Sequence, residues 1–202
     1  MRILFLLSLF ISLYSHAQDW KATNHPNNGK KAINHNGIDI SEFVYTEISE
    51  LSEGKAYVAM GQLYAYIDTT CNELTEYIFA EANNFRNGYA VVGDSFYLGM
   101  INAKMQVVVP LQFVDVRMPK HGLIVVQTPD QTWGVLDTLG RIRLPFIYDL
   151  PPQIIDLEHI IVRKEELYGV VNDCNDIVFN TSYQYISTNG LGYKSGKHLK
   201  LF

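Results

Sequence analysis

The residues able to do chemistry are few in this chain, and their spacing suits no known catalytic arrangement. Histidines at 25, 35, 121, 159 and 198 and cysteines at 71 and 174 contain no Cys-x-x-Cys or paired-His spacing of the kind that holds zinc. His25 and His35 flank a polar stretch and read as solvated side chains. Gly93-Asp94-Ser95 lacks the second glycine of a nucleophile elbow. No phosphate-cradling glycine loop and no dinucleotide fingerprint follows any predicted strand. Glu165-Glu166 stands in a predicted hairpin turn, where adjacent carboxylates are a solvated tip rather than an acid–base pair. The expectation is therefore a protein that is not an enzyme, with no catalytic, metal-binding or cofactor-binding residues and no cofactor. An enzyme would have to assemble ionisable residues from distant parts of the chain, in a cleft that perturbs their pKa values.

One set of polar residues does recur regularly. Lys30-Lys31-Ala32-Ile33-Asn34, Tyr64-Ala65-Tyr66-Ile67-Asp68, Leu98-Gly99-Met100-Ile101-Asn102, Trp133-Gly134-Val135-Leu136-Asp137 and Tyr168-Gly169-Val170-Val171-Asn172 are five copies of one segment, 34 or 35 residues apart. A row of such carboxylates could bind calcium. Three of the five are Asn, however, and no acidic ladder completes a cage for a hard cation. The mechanical reading is better: a short polar side chain at a turn accepts hydrogen bonds from backbone N–H groups two residues on. Gly37 and Gly140, three residues past their anchors, supply a position tolerant of positive φ.

The period holds in other columns. An aromatic follows each anchor by eleven residues (Tyr45, Phe79, Phe113, Tyr148, Tyr183). A glycine follows by twenty in four copies (Gly54, Gly88, Gly122, Gly192), while the fourth copy has Leu157 and should connect differently. A fixed period of this length decides architecture, because one unit cannot bury its own apolar face. Short β-branched and aromatic runs between Gly, Asn, Asp and Pro clusters are strand and hairpin signals. Pro110 and Pro145 end the third strand because proline cannot donate to a ladder. The fold expected is all-β: five tandem meander repeats of about 35 residues, each three-stranded, in an open twisted array over 30–202. A small closed propeller-like ring is the alternative, with 198–202 pairing beside the first unit.

The large residue four before the anchor, Tyr64, Trp133 or Tyr168, suits packing between units. Exposed in one row, the same three aromatics would be ligand contacts for cell-wall or other glycans.

These columns resemble the WG (or KWG) repeat family, a group of bacterial β-repeat proteins. Trp133-Gly134-Val135-Leu136-Asp137-Thr138-Leu139-Gly140 followed by Leu144-Pro145-Phe146-Ile147-Tyr148-Asp149 matches its signature, and Tyr168-Gly169-Val170-Val171-Asn172 is a second match. The other copies keep the period, the Asp or Asn and the later aromatic but lose the Trp-Gly pair. The resemblance implies a β-repeat protein, many of whose relatives are exported and largely uncharacterised. It carries no catalytic residues to transfer.

Arg2, the apolar run Ile3–Leu13 and Ser15-His16-Ala17 read as a secretion signal peptide over 1–17, cleaved to leave Gln18 first. The run is short of the roughly 20 residues a membrane span needs, so no transmembrane span is expected in the mature chain. Residues 18–29 read as a flexible polar leader. Losing Arg2 moves the formal net charge from −5 to about −6. That mild acidity argues against nucleic acid, whose binders concentrate positive charge. Cys71 and Cys174 fall in turns of different units and should stay unpaired. Lys197 and Lys200 should guard a terminal edge strand. The functional expectation is a secreted or cell-envelope binding or scaffolding protein with a protein partner, since stacked repeats expose long continuous faces.

Overall fold

The computed structural model describes residues 20–202, so the expected signal peptide lies outside the described residues. The described chain has no helix and forms six antiparallel sheets, each a meander of consecutive strands. Sheet A holds β1 (Trp20–Asn24), β2 (Lys31–His35) and β3 (Ile38–Asp39), and sheet B holds β4 (Glu47–Ile48), β5 (Lys55–Met60) and β6 (Leu63–Asp68). Sheet C holds β7 (Glu81–Ala82), β8 (Tyr89–Gly93), β9 (Leu98–Asn102) and β10 (Val107–Phe113). Sheet D holds β11 (Asp115–Val116), β12 (Leu123–Gln127), β13 (Trp133–Asp137) and β14 (Ile142–Tyr148). Sheet E holds β15 (Gln153–Ile154), β16 (Ile160–Lys164), β17 (Leu167–Val171) and β18 (Ile177–Tyr183). Sheet F holds β19 (Tyr185–Ile186), β20 (Leu191–Lys194) and β21 (Lys197–Lys200).

The all-β repeat architecture stands as expected, with two corrections to its parts. Sheets C, D and E have four strands rather than three, with a two-residue strand before the hairpin and a seven-residue strand after it. Five sequence copies also spread over six sheets. Read from anchor to anchor, every copy but the one that starts at Asp68 gives the last strand of one sheet and three strands of the next; that one gives β7 to β9 alone. Residues 20–24, read from the sequence as part of a flexible leader, form β1 and pair with β2 from Trp20↔His35 to Asn24↔Lys31. None of the sheets is closed, and among the described residues no strand of sheet F pairs with one of sheet A.

The core lies between sheets, not within them. Ile33, Ala56, Val58 and Ile67 join A to B, and Tyr66, Phe85, Val92 and Ile101 join B to C. Met100, Phe113, Ile124 and Leu136 join C to D, and Trp133, Val135, Ile160 and Val162 join D to E. Ile161, Val170 and Ile186 join E to F. Each interior sheet is buried on both faces, as in β13, where all five residues are buried. Four aromatics of the eleven-residue column, Tyr45, Phe79, Phe113 and Tyr148, are buried, whereas Tyr183 beside the last sheet is half-buried.

Glycine acts at two kinds of position. Gly54, Gly88 and Gly122 take positive φ in the turn between first and second strands. Gly192, placed in that column by the sequence, lies instead within β20, and Gly190 makes the turn with φ 77. The fourth copy connects otherwise, as its Leu157 implied: Asp156 Oδ1 accepts from the backbone N–H of Glu158 (2.9 Å) and His159 (2.8 Å). The second kind is the glycine of the Trp-Gly pair. A methyl group at Gly99 would stand 2.5 Å from the Val109 carbonyl oxygen, and one at Gly134 would stand 2.3 Å from the Phe146 ring. The bulged fourth strand crosses there too closely for any side chain.

Sheets A and B show the converse. They carry Lys31 and Ala65 at this place and lack a seven-residue fourth strand. Hydroxyls take over instead: the Ile33 N–H donates to Ser41 Oγ (2.8 Å) and the Tyr66 N–H to Thr75 Oγ1 (2.9 Å). In sheet B the fourth segment forms no strand and bridges β6 at Tyr64↔Phe79 and Ile67↔Glu73.

Candidate binding surfaces

The recurring Asp and Asn do the mechanical work their spacing implied. Asp68 Oδ1 accepts from the backbone N–H of Thr70 (2.8 Å) and Asn72 (2.9 Å), and Asp137 Oδ1 from Leu139 (2.9 Å) and Arg141 (3.0 Å). Asn102 and Asn172 do the same for residues two and four ahead. Asn34 Oδ1 accepts from Gly37 N–H at 2.9 Å. The residue three past every anchor has positive φ: Gly37, Cys71, Met105, Gly140 and Asn175. Among the described residues no group of three or more His, Cys, Asp or Glu could hold a metal.

A second rule governs these turns. In four of the five turns the side chain four past the anchor complements it. Asp68 Oδ2 accepts from Asn72 Nδ2 (2.9 Å), and Asp137 Oδ2 from Arg141 Nε (2.7 Å). Asn102 Nδ2 instead donates to Gln106 Oε1 (3.0 Å), and Asn172 Nδ2 to Asp176 Oδ2 (3.0 Å). An Asp anchor thus faces a donor and an Asn anchor an acceptor. The Thr70 hydroxyl, with Asn72, holds the Asp68 carboxyl down at about 2. Burial pushes the Asp137 carboxyl up, but the Arg141 N–H and guanidinium outweigh it, so its pKa is lowered.

The three aromatics singled out as ligand contacts do not form an exposed row. Trp133 is buried at 7% exposure under the Arg117 guanidinium, 4.7 Å from its ring. Tyr64 is half-buried, donates to Glu47 Oε2 (2.8 Å) and meets Tyr57 edge-on at 5.5 Å. Tyr168, also half-buried, packs edge-on against Tyr185 of the next sheet at 6.0 Å. Each of the three pairs across its sheet with the aromatic fifteen residues on: Phe79, Tyr148 and Tyr183. The two aromatic columns are therefore one structural pair. Cys71 and Cys174 are both free.

Two surfaces were not legible as columns. The first residues of β10, β14 and β18, namely Val107, Ile142 and Ile177, are 60%, 61% and 68% exposed. They occupy one repeat phase on three neighbouring sheets, so they line up as an apolar row. The second surface is a cleft with about 850 Å³ of empty space, open to solvent, beside the first strands of sheets C and D. Its rim carries Glu81, Asn84 and Arg86, and Val91, Leu98 and Met118 form its apolar part. No helix among the described residues is long and apolar enough to cross a membrane.

No curated protein matches the chain. Among solved structures it is similar to Hsv2 of Kluyveromyces lactis, at 17% identity over 80% of this chain and 60% of that one, with a TM-score of 0.42. A computationally designed protein, Ika8, is 13% identical over 84% of this chain and 67% of that one, with a TM-score of 0.40. The chain spans about 60% of the length of the Hsv2 structure it matches. The model of the WG containing repeat matches residues 64–93, 99–128 and 133–150. These segments start at or beside Tyr64, Leu98 and Trp133, the head of each copy, while the Tyr168 copy lies outside them. Sheets B to D thus carry three segments, within residues 64–150, that match the WG containing repeat.

Proposed function

We propose that this chain is an exported, non-enzymatic scaffold that binds a protein partner along its outer strands. The observation that carries the reading is the row Val107, Ile142 and Ile177. Each is apolar and largely exposed, while the residue two further on, Val109, Leu144 or Phe179, faces the core or its margin. Nothing in the fold requires an apolar side chain at the exposed phase, and a periodic apolar row suits an extended partner surface. Export rests on the signal-like residues 1–17, and the cell envelope is the compartment proposed. The test is retention from envelope extract on wild-type chain and on V107S/I142S/I177S. The reading expects a specific protein held by the wild type and released by the variant, with equal melting temperatures. Retention of no specific protein, or equal retention on both, overturns it.

A further inference from the structure

Asparagine followed by glycine occurs four times, at 28–29, 36–37, 87–88 and 189–190. Asparagine is thermally labile, and most so here, because glycine has no side chain to shield its own nitrogen. That nitrogen can attack the neighbouring side-chain amide once its proton leaves, so a hydrogen bond from the N–H opposes attack. The four sites differ in that bond. Gly37 N–H donates to Asn34 Oδ1 (2.9 Å), Gly88 N–H to Glu53 Oε2 (2.8 Å) and Gly190 N–H to the Ser187 carbonyl oxygen (3.0 Å). Gly29, exposed in the β1–β2 turn, has no acceptor for its N–H among the described residues. Asn28 itself is arranged for the reaction. Its Oδ1 accepts from Lys30 N–H at 2.9 Å, which folds the side-chain amide over the Gly29 peptide. The same donor is aimed at the oxygen that gains charge during attack. Asn36 is turned the other way, with Nδ2 on His35 Nε2 at 3.2 Å.

We propose that Asn28 is a self-modification site, converting to aspartate and isoaspartate while the other three Asn-Gly pairs persist. Gly29 N gives its proton to water and bonds to the side-chain amide carbon of Asn28. The amide C–N bond breaks, and the nitrogen takes a proton and leaves as ammonia. Water then opens the cyclic imide. Opening at the side-chain carbonyl gives aspartate; opening at the main-chain carbonyl gives isoaspartate, whose backbone runs through the side chain. Either product puts a negative charge in the turn. Isoaspartate also lengthens the turn by a methylene. The bond from His25 N–H to the Lys30 carbonyl oxygen (2.7 Å) closes that turn and continues the ladder of β1 on β2. A longer turn strains that closure, so β1 loosens. The site lies away from the outer row, and either can fail alone.

The experiment ages the full chain in mildly alkaline buffer and maps amide-to-acid conversion by peptide mass spectrometry, with isoaspartate detected by enzymatic methylation. Conversion at Asn28 is expected to run roughly tenfold or more ahead of Asn36, Asn87 and Asn189. In concentrated urea the four rates should converge, because the dipeptide is the same. Glu53→Ala frees the Gly88 N–H and keeps a Cβ at a residue already at positive φ, so Asn87 should speed up toward the Asn28 rate. The aged chain should exchange its β1 amides faster than Asn28→Asp, which carries the charge without the added methylene. Equal rates at the four sites of the folded chain, another site in the lead, or the same ranking in urea each overturn the proposal. An unmoved Asn87 rate in folded Glu53→Ala overturns the protection argued for the glycine N–H, and β1 exchange equal to that of Asn28→Asp overturns the loosening. Should Glu53→Ala fail to fold, the ranking in the wild-type chain, folded against urea, decides alone.

Discussion

At the residue scale the governing unit is the anchor turn, and its logic is complementary pairing. Asn172→Asp would set a carboxylate against Asp176 at the distance where Nδ2 now donates, 3.0 Å. Losing that bond and gaining a like-charge contact should cost about 1–3 kcal/mol. Asp176→Asn added to the same chain should recover most of the loss, because an Asp anchor facing an Asn is the arrangement of Asp68 and Asn72. Urea melts of the single and double variants check this, and equal stability of the two would mean the pairing has no energetic role. Acid dependence follows from the same turns. Asp68 titrates at about 2 in the folded chain and Asp137 is also lowered, so each binds its proton more weakly than in the unfolded chain, where Asp titrates near 3.9. Their stabilisation is complete above about pH 4 and is lost as pH falls toward 2. Asp68→Asn should flatten the dependence of the melting temperature between pH 4 and 2.5; an unchanged slope would sink the assignment. The anchor's role was readable from its short polar side chain. The pairing four residues on was present in the same letters, but only the contact distances make it a rule.

At the element scale one missing Cβ decides whether a sheet gains its fourth strand. Gly99, Gly134 and Gly169 accompany the seven-residue strands β10, β14 and β18, and Lys31 and Ala65 accompany their absence. Gly99→Ala meets backbone, the Val109 carbonyl oxygen, so the strand itself must move. The expected cost is about 1–3 kcal/mol, with faster amide exchange along β10. Wild-type stability in that variant would show that the close crossing is not what selects glycine. The Trp-Gly signature is thus legible as a motif from sequence. Its physical reason is not, because the crossing strand comes from some ten residues further along.

At the scale of the whole molecule the last sheet is built as a cap. The forward face of each interior sheet presents a fully buried residue at one phase: Tyr66, Met100, Val135 and Val170. Sheet F has Lys200 there, exposed, opposite Leu191 in the pair that matches Ile161↔Val170. The backward face has Ala56, Ala90, Ile124 and Ile160 at its buried phase, and sheet A has exposed Ala22 there. Leu199 also fills the place that glycine holds beside a fourth strand, so β21 is a poor template for another. Arrays of stacked units need polar outer faces to remain soluble. Lys200→Val should therefore promote head-to-tail self-association, seen by sedimentation as mass rising with concentration. A variant that sediments as the wild type does would show that Lys200 does not cap the array.

Sequence alone determined the period, the all-β class, the turn residues and the paired aromatic columns, because each depends on local chemistry repeated every 34 or 35 residues. It also marked Lys197 and Lys200 as guards of a terminal edge. Tertiary structure alone decided that a sequence copy straddles two sheets, since pairing partners are set by which strand lies alongside and not by where the period begins. It decided that Trp133 is a core residue under Arg117, that Val107, Ile142 and Ile177 share an exposed row, and that Asn84 and Arg86 meet at one cleft. Those facts depend on how one sheet packs on the next, and a linear period carries no record of which face a neighbour covers.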